Sequence, residues 1–139
     1  MKTTDTTAAL FTEVGILIKS RMQQAVAMPF SQCQTLWFVA THAGPGSPAS
    51  MQDIARHFKI RAPSATFLVE ELVRGGYLAR HANAQDRRKV ELTLTTKGKR
   101  SFKTFEAKRA VVLSKLFGSL DEKDRKELNR ILRKMIESS

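Results

Sequence analysis

The chain has 139 residues, with 24 Lys and Arg against 13 Asp and Glu for a formal net charge of +11, and 42% of its residues are hydrophobic. That length holds one domain and excludes a second large catalytic domain, and the apolar content excludes intrinsic disorder. The charge predicts a phosphate-rich partner, nucleic acid first and an anionic membrane surface second, because a basic balance acts on association rather than on fold. Its distribution is uneven: residues 1–50 carry 3 basic and 2 acidic groups, residues 51–100 carry 11 and 5, and residues 101–139 carry 10 and 6.

At the N-terminus Lys2 precedes an apolar stretch over 8–18, and Ala25-Val26-Ala27 imitates an export cleavage site. Glu13 interrupts the stretch and Lys19, Arg21, Gln23 and Gln24 make the approach polar, so no signal peptide is expected. No window reaches the roughly 18 consecutive apolar residues of a membrane span; no membrane partner and a cytoplasmic location are expected. Leu10, Val14, Leu17, Ile18 and Met22 recur at three-to-four spacing and predict a helix over about 6–26, ended by Pro29. Ser31-Gln32-Cys33-Gln34 has the spacing of a capping box and predicts a second helix over about 32–42, rich in apolar Leu36, Trp37, Val39 and Ala40. Cys33 is the one cysteine, which excludes an intramolecular disulfide and any zinc motif built on a cysteine pair, and fits a reducing compartment.

Gly44-Pro45-Gly46-Ser47-Pro48 is a connector by composition, since no Lys-Ser/Thr follows the glycines as a phosphate-binding loop demands. Ser50 then stands as the N-cap of a short helix over 51–58, with Asp53 at the third position and Ile54, Ala55 and Phe58 inward. After Lys59-Ile60-Arg61-Ala62, Pro63 opens another helix whose inner stripe is Ala65, Leu68, Val69 and Leu72, and Gly75-Gly76 stops it. Two short helices joined by a few residues are the outline of a helix-turn-helix.

Tyr77-Leu78-Ala79-Arg80-His81 reads as a strand, 82–88 as a polar turn, and Lys89-Val90-Glu91-Leu92-Thr93-Leu94 as a strand with Val90, Leu92 and Leu94 on one side. A two-stranded hairpin directly after the second helix is a wing, and residues 80–100 hold seven basic groups against two acidic ones. A long helix is expected after Gly98, faced by Phe102, Phe105, Val112, Leu113, Leu116 and Phe117 and broken at Gly118. Asp121 caps a last helix bearing Leu128, Ile131, Leu132, Met135 and Ile136.

Across the wing, Asp86-Arg87-Arg88-Lys89-Val90-Glu91-Leu92-Thr93-Leu94-Thr95-Thr96-Lys97-Gly98 has the spacing D-x-R-x5-L-T-x-x-G. In this it resembles the MarR family of winged helix-turn-helix transcriptional regulators, named for multiple antibiotic resistance. Asp53-Ile54-Ala55, Leu68-Val69, Leu72 and Gly76-Tyr77-Leu78 agree with the family pattern, and the order of elements carries the resemblance over nearly the whole chain. The resemblance implies a mainly α fold with a small β-wing, a single domain over 1–139. About 31–98 would form a DNA-binding winged-helix lobe, and about 6–26 and 99–137 the N- and C-terminal dimerisation helices. It implies a sequence-specific regulator, a homodimeric repressor of pseudo-palindromic sites in double-stranded DNA, with release by a small-molecule effector left open. The residues themselves favour a homodimer, because three amphipathic helices flanking a lobe of ~70 residues carry more apolar surface than that lobe can cover.

With Ala65, Leu68, Val69 and Leu72 inward at about 100° per residue, Pro63, Thr66, Phe67, Glu70 and Arg74 turn outward. Ser64, Thr66 and Phe67 are then expected to meet bases, Phe67 through a thymine methyl, while Arg61 and Arg74 meet phosphates or a guanine edge. The alternative for Phe67 is a core position on a slightly rotated helix. At the wing, the resemblance implies that Arg88 reaches the minor groove, oriented by Asp86, with phosphate contacts from Arg87 and Lys89.

Relatives include an oxidant-sensing branch that uses a cysteine and a zinc-sensing branch that uses Glu, His and Cys ligands. Cys33 lies in the first turn of a predicted helix, where the dipole can lower a thiol pKa, so it is a candidate redox sensor; structural burial is the favoured reading. Glu13, Cys33 and His42 fall in zinc-site neighbourhoods, but the long helix holds no histidine, and neither a metal nor a cofactor is expected. His-Glu-x-x-His, Gly-x-Ser-x-Gly and phosphate-loop motifs are absent from the sequence, so the chain is not expected to be an enzyme. Two other functions remain open beside regulation: an architectural nucleic-acid-binding protein without a ligand, and a protein-interaction scaffold.

Overall fold

The computed structural model describes residues 3–42 and 48–139. Its elements run in the order α1 (Thr3–Ala25), α2 (Phe30–His42), β1 (Ala49–Ser50), α3 (Met51–Phe58), α4 (Ala62–Arg74), β2 (Leu78–Ala82), β3 (Val90–Leu94), α5 (Thr96–Phe117) and α6 (Glu122–Glu137). The connector expected at 44–48 lies outside the described residues except for Pro48.

Polar caps decide where α3, α5 and α6 begin. Ser50 Oγ accepts from the Asp53 amide at 3.1 Å while Asp53 Oδ2 accepts from the Ser50 amide at 2.9 Å, a closed capping box. Thr95 and Asp121 likewise accept from the amides of Gly98 and Asp124. Because Thr95 is the cap, α5 starts at Thr96, earlier than expected, and Gly98 lies inside its first turn. The capping box expected at Ser31 does not form. Instead α2 begins at Phe30, with the Pro29 carbonyl accepting from the Gln32 and Cys33 amides at 3.0 Å. Ser31 is one residue into the helix, where its carbonyl accepts from the Thr35 hydroxyl.

The sheet also differs from the expected two-stranded hairpin. β3 lies between β2 and a third strand, β1, and pairs antiparallel with both; Ala49 stands opposite Leu92 and Leu78 opposite Leu94. Leu36 and Val39 of α2, Ile54 of α3, Ala65, Val69 and Leu72 of α4, and Leu78 and Leu92 of the sheet close into one core. Leu68, expected inward, is half-buried. A second, smaller cluster joins Met22 of α1, Cys33 of α2, and Phe105 and Val112 of α5. Trp37 and Met28 pack against both clusters, which makes α2 the spine between the sheet-bearing lobe and the α1–α5 pair. Lys108 Nζ donates to the Ala25 carbonyl at 2.5 Å, a cation from α5 on the C-terminal end of α1.

Two apolar rows find no cover among the described residues. Leu10, Phe11, Val14 and Leu17 of α1 are exposed, and α6 buries no residue, leaving Ile131, Leu132, Met135 and Ile136 in solvent.

Candidate nucleic-acid interface

α4 is held by its buried face, and the opposite face is left to act. Arg61 stands at its N-cap in extended conformation, and Pro63 occupies the first turn, where a missing N–H costs nothing. Burial of Ala65, Val69 and Leu72 turns Ser64, Phe67, Glu70 and Arg74 outward. Phe67 is 63% exposed, so the core position considered for it from the sequence is not the one it takes. Thr66 Oγ1 donates to the Ala62 carbonyl at 2.9 Å, which spends its hydrogen and leaves its lone pairs to accept. Arg74 is paired with Glu71 at 2.7 Å. Arg61 has no ion pair among the described residues.

One contact that the sequence reading missed joins α4 to the wing: Arg80 of β2 reaches Glu70 at 3.7 Å. It sets a carboxylate of α4 beside a cation of the wing.

The wing tip is an organised turn. Asn83 Oδ1 accepts from the amides of Gln85 and Asp86 at 2.8 and 2.9 Å, its Nδ2 donates to Glu91, and the Lys89 amide returns to the Asp86 carbonyl at 3.0 Å. Within that frame Asp86 Oδ1 accepts from both the Arg88 amide at 3.1 Å and the Arg88 Nε at 3.3 Å. The Arg88 side chain is 93% exposed, so the carboxylate sets its direction while the guanidinium stays in solvent. Arg87 and Lys89 flank it, both exposed. Asn83, the residue that shapes the turn, was not singled out from the sequence, although Asn with an amide two residues on is a known turn signal.

The second half of the signature is structural. Thr95 Oγ1 donates to the Gly76 carbonyl at 2.6 Å while capping α5, and the buried Gly98 lies so close beneath Tyr77 that a Cβ there would run into the Tyr77 carbonyl oxygen. Lys97 Nζ donates to the Gly75 carbonyl at 2.7 Å and lies 4.5 Å from the centre of the Tyr77 ring. The α4–β2 turn and the start of α5 are thereby locked to each other, which fixes the wing relative to α4.

Cys33 is 2% exposed and its Sγ contacts the Met28 carbonyl at 3.6 Å. Burial pushes its thiol pKa up, outweighing the lowering by its backbone hydrogen bond. It borders a cavity of about 320 Å³ between α2, α5 and the α1–α2 connection, whose wall includes Met28, Leu36, Tyr77 and Phe105 beside the cationic Arg100 and Lys108. No helix of the described residues is long and apolar enough to cross a membrane.

A model of the MarR family matches residues 28–89, from just before α2 to the end of the wing turn. Among curated proteins, the HTH-type transcriptional regulator BilQ of Clostridium symbiosum is 29% identical over 100 residues, spanning 72% of this chain and 69% of that protein. Among solved structures, the S. aureus MepR–DNA complex has a TM-score of 0.83 at 24% identity, covering 95% of this chain and 97% of that one. A MarR-family transcriptional regulator from Rhodococcus sp. RHA1 has a TM-score of 0.81 at 16% identity, covering 97% and 95%. Both structural likenesses reach beyond the lobe to the long flanking helices. The lobe over 28–89 thus carries the MarR-family pattern, and the chain has the fold of the MarR-family structures it resembles.

Proposed function

We propose that the chain is a homodimeric, cytoplasmic repressor that binds pseudo-palindromic double-stranded DNA, with α4 in the major groove and the wing tip in the neighbouring minor groove. The observation that carries this reading is the exposure of Phe67 on the outward face of α4 together with that of the Asp86-held Arg88 at the wing tip. Ser64, Thr66 and Phe67 take the bases; Arg61, Arg74, Arg87 and Lys89 take phosphates, with a guanine edge within the repertoire of the α4 arginines. That S. aureus MepR, similar in fold, is solved as a complex with DNA supports DNA as the partner. The uncovered apolar rows of α1 and α6 support the dimer, whose two-fold axis would set two α4 helices about one turn of DNA apart. The apolar cavity rimmed by Arg100 and Lys108 is the place for an effector, a lipophilic anion.

Selection of bound sequences from random duplexes tests the reading. Short two-fold sites should emerge, and affinity for them should fall by about 10³ or more between 50 and 200 mM salt if roughly 6–10 phosphates are contacted. Uniform protection without sequence preference would identify an architectural protein instead, and absence of binding at low salt would leave a protein-interaction scaffold.

A further inference from the structure

His42 and His57 stand apart from the surface just described. His42 is the last residue of α2, and His57 lies in the last turn of α3. Their rings lie against the same Phe38 ring, at centroid distances of 4.3 and 4.4 Å, and Phe38 is 4% exposed. The two imidazole centroids are 5.4 Å apart, well below the sum of those two spacings, so the rings lie side by side rather than on opposite faces of Phe38. Two imidazoles that share one tetrahedral ion through Zn–N bonds of about 2.0–2.1 Å have centroids about 5 Å apart.

The hydrogen bonds of His42 favour the same use. Its Nδ1 lies 2.9 Å from the Thr41 hydroxyl, whose own hydrogen goes to the Trp37 carbonyl at 2.8 Å, and 3.2 Å from the Phe38 carbonyl; with both neighbours accepting, Nδ1 carries the hydrogen and Nε2 keeps its lone pair. A ring N–H given to a backbone carbonyl is the outer-shell arrangement that fixes a metal-binding tautomer. His57 makes no side-chain hydrogen bond among the described residues, and the nearby Arg56 guanidinium is turned to Asp53 at 3.7 Å. Both histidines sit at helix C-terminal ends, whose carbonyl poles favour a cation.

We propose that His42 and His57 form a surface site for one late first-row divalent ion, of which imidazole is the preferred ligand, the remaining positions being filled by water. An ion there ties the end of α2 to the end of α3, the first helix of the helix-turn-helix. Zinc binding by the full-length, tag-free chain, measured by competition with a chromophoric chelator, tests the site without recourse to DNA. One Zn(II) per chain is expected, with affinity lowered about tenfold or more by His42→Ala and by His57→Phe and unchanged by His81→Ala or Cys33→Ser. His57→Phe keeps a ring over Phe38, so a wild-type melting temperature in that variant separates loss of a ligand from loss of packing. No zinc on the wild-type chain, zinc retained by His57→Phe, or zinc lost with Cys33→Ser would each overturn the site and leave the histidines as packing for Phe38.

Discussion

Arg88 and Asp86 form an ion pair that lies almost wholly in solvent, and exposed pairs of this kind contribute about 0–1 kcal/mol to stability. Its value is therefore directional: the carboxylate restricts a long, freely rotating side chain to the sector that faces away from the lobe. Replacing Arg88 by Ala should weaken binding to a selected DNA site about tenfold or more while leaving the melting temperature unchanged, as read by fluorescence anisotropy and thermal unfolding. Equal affinity in the variant would remove the wing from the interface. A different single-residue effect governs the turn of the helix-turn-helix. Lys59 closes α3 at φ 52° and ψ 45°, the left-handed region, with its amide donating to the Ala55 and Arg56 carbonyls. A side chain there costs about 1–2 kcal/mol, part of which glycine gives back through its freer unfolded chain. Lys59→Gly should accordingly raise stability by about 0.5–1 kcal/mol, visible as a higher urea midpoint, and an unchanged or lower midpoint would show that the turn is not strained.

At the scale of elements, α4 divides its labour cleanly: one face belongs to the core and the other carries the exposed aromatic ring of Phe67. Substitutions at such exposed positions usually change stability by no more than about 0.5 kcal/mol, so Phe67→Ala should fold normally. Its expected effect is a loss of preference at one base pair in each half-site, measured against duplexes changed one position at a time; an unaltered preference would make Phe67 a bystander. This division was legible in the sequence because Ala65, Val69 and Leu72 repeat at helical spacing, and the wing because Asp86, Arg88 and Gly98 hold a fixed spacing. β1 was not legible, since two residues cannot show an alternation and Ala49 is placed by its pairing with Leu92. The starts of α2 and α5 were missed for a related reason. Several polar residues in each stretch could serve as caps, and spacing alone does not choose the Pro29 carbonyl over Ser31 or Thr95 over later positions. The Glu70–Arg80 pair joins two elements across a turn, and no local spacing rule announces it.

For the molecule as a whole, the two cores divide the chain unequally. The lobe formed by α2, the sheet, α3 and α4 has its own buried interior, whereas α6 is a 16-residue helix with no buried residue. Most of a helix's stability in a protein comes from packing its amphipathic face, so α6 needs a surface to lie on, and its exposed Ile131, Leu132, Met135 and Ile136 define the face that seeks one. In the proposed homodimer a second copy would offer the matching rows of α1 and α6, and two chains would bring twice the +11 charge of one to a two-fold DNA site. Sedimentation at micromolar concentration should find a dimer. Leu132→Glu combined with Ile136→Glu should convert it to a monomer with reduced helical ellipticity, because the charges would be buried without partners. The lobe core does not include these positions, so the monomer should keep a cooperative unfolding transition and weak binding to DNA at low salt. Its affinity for a two-fold site should fall by about 10² or more, since the second half-site then gains nothing from linkage to the first. A double variant that remains dimeric would place the interface elsewhere, and a monomeric variant with undiminished affinity would show that one lobe suffices for recognition.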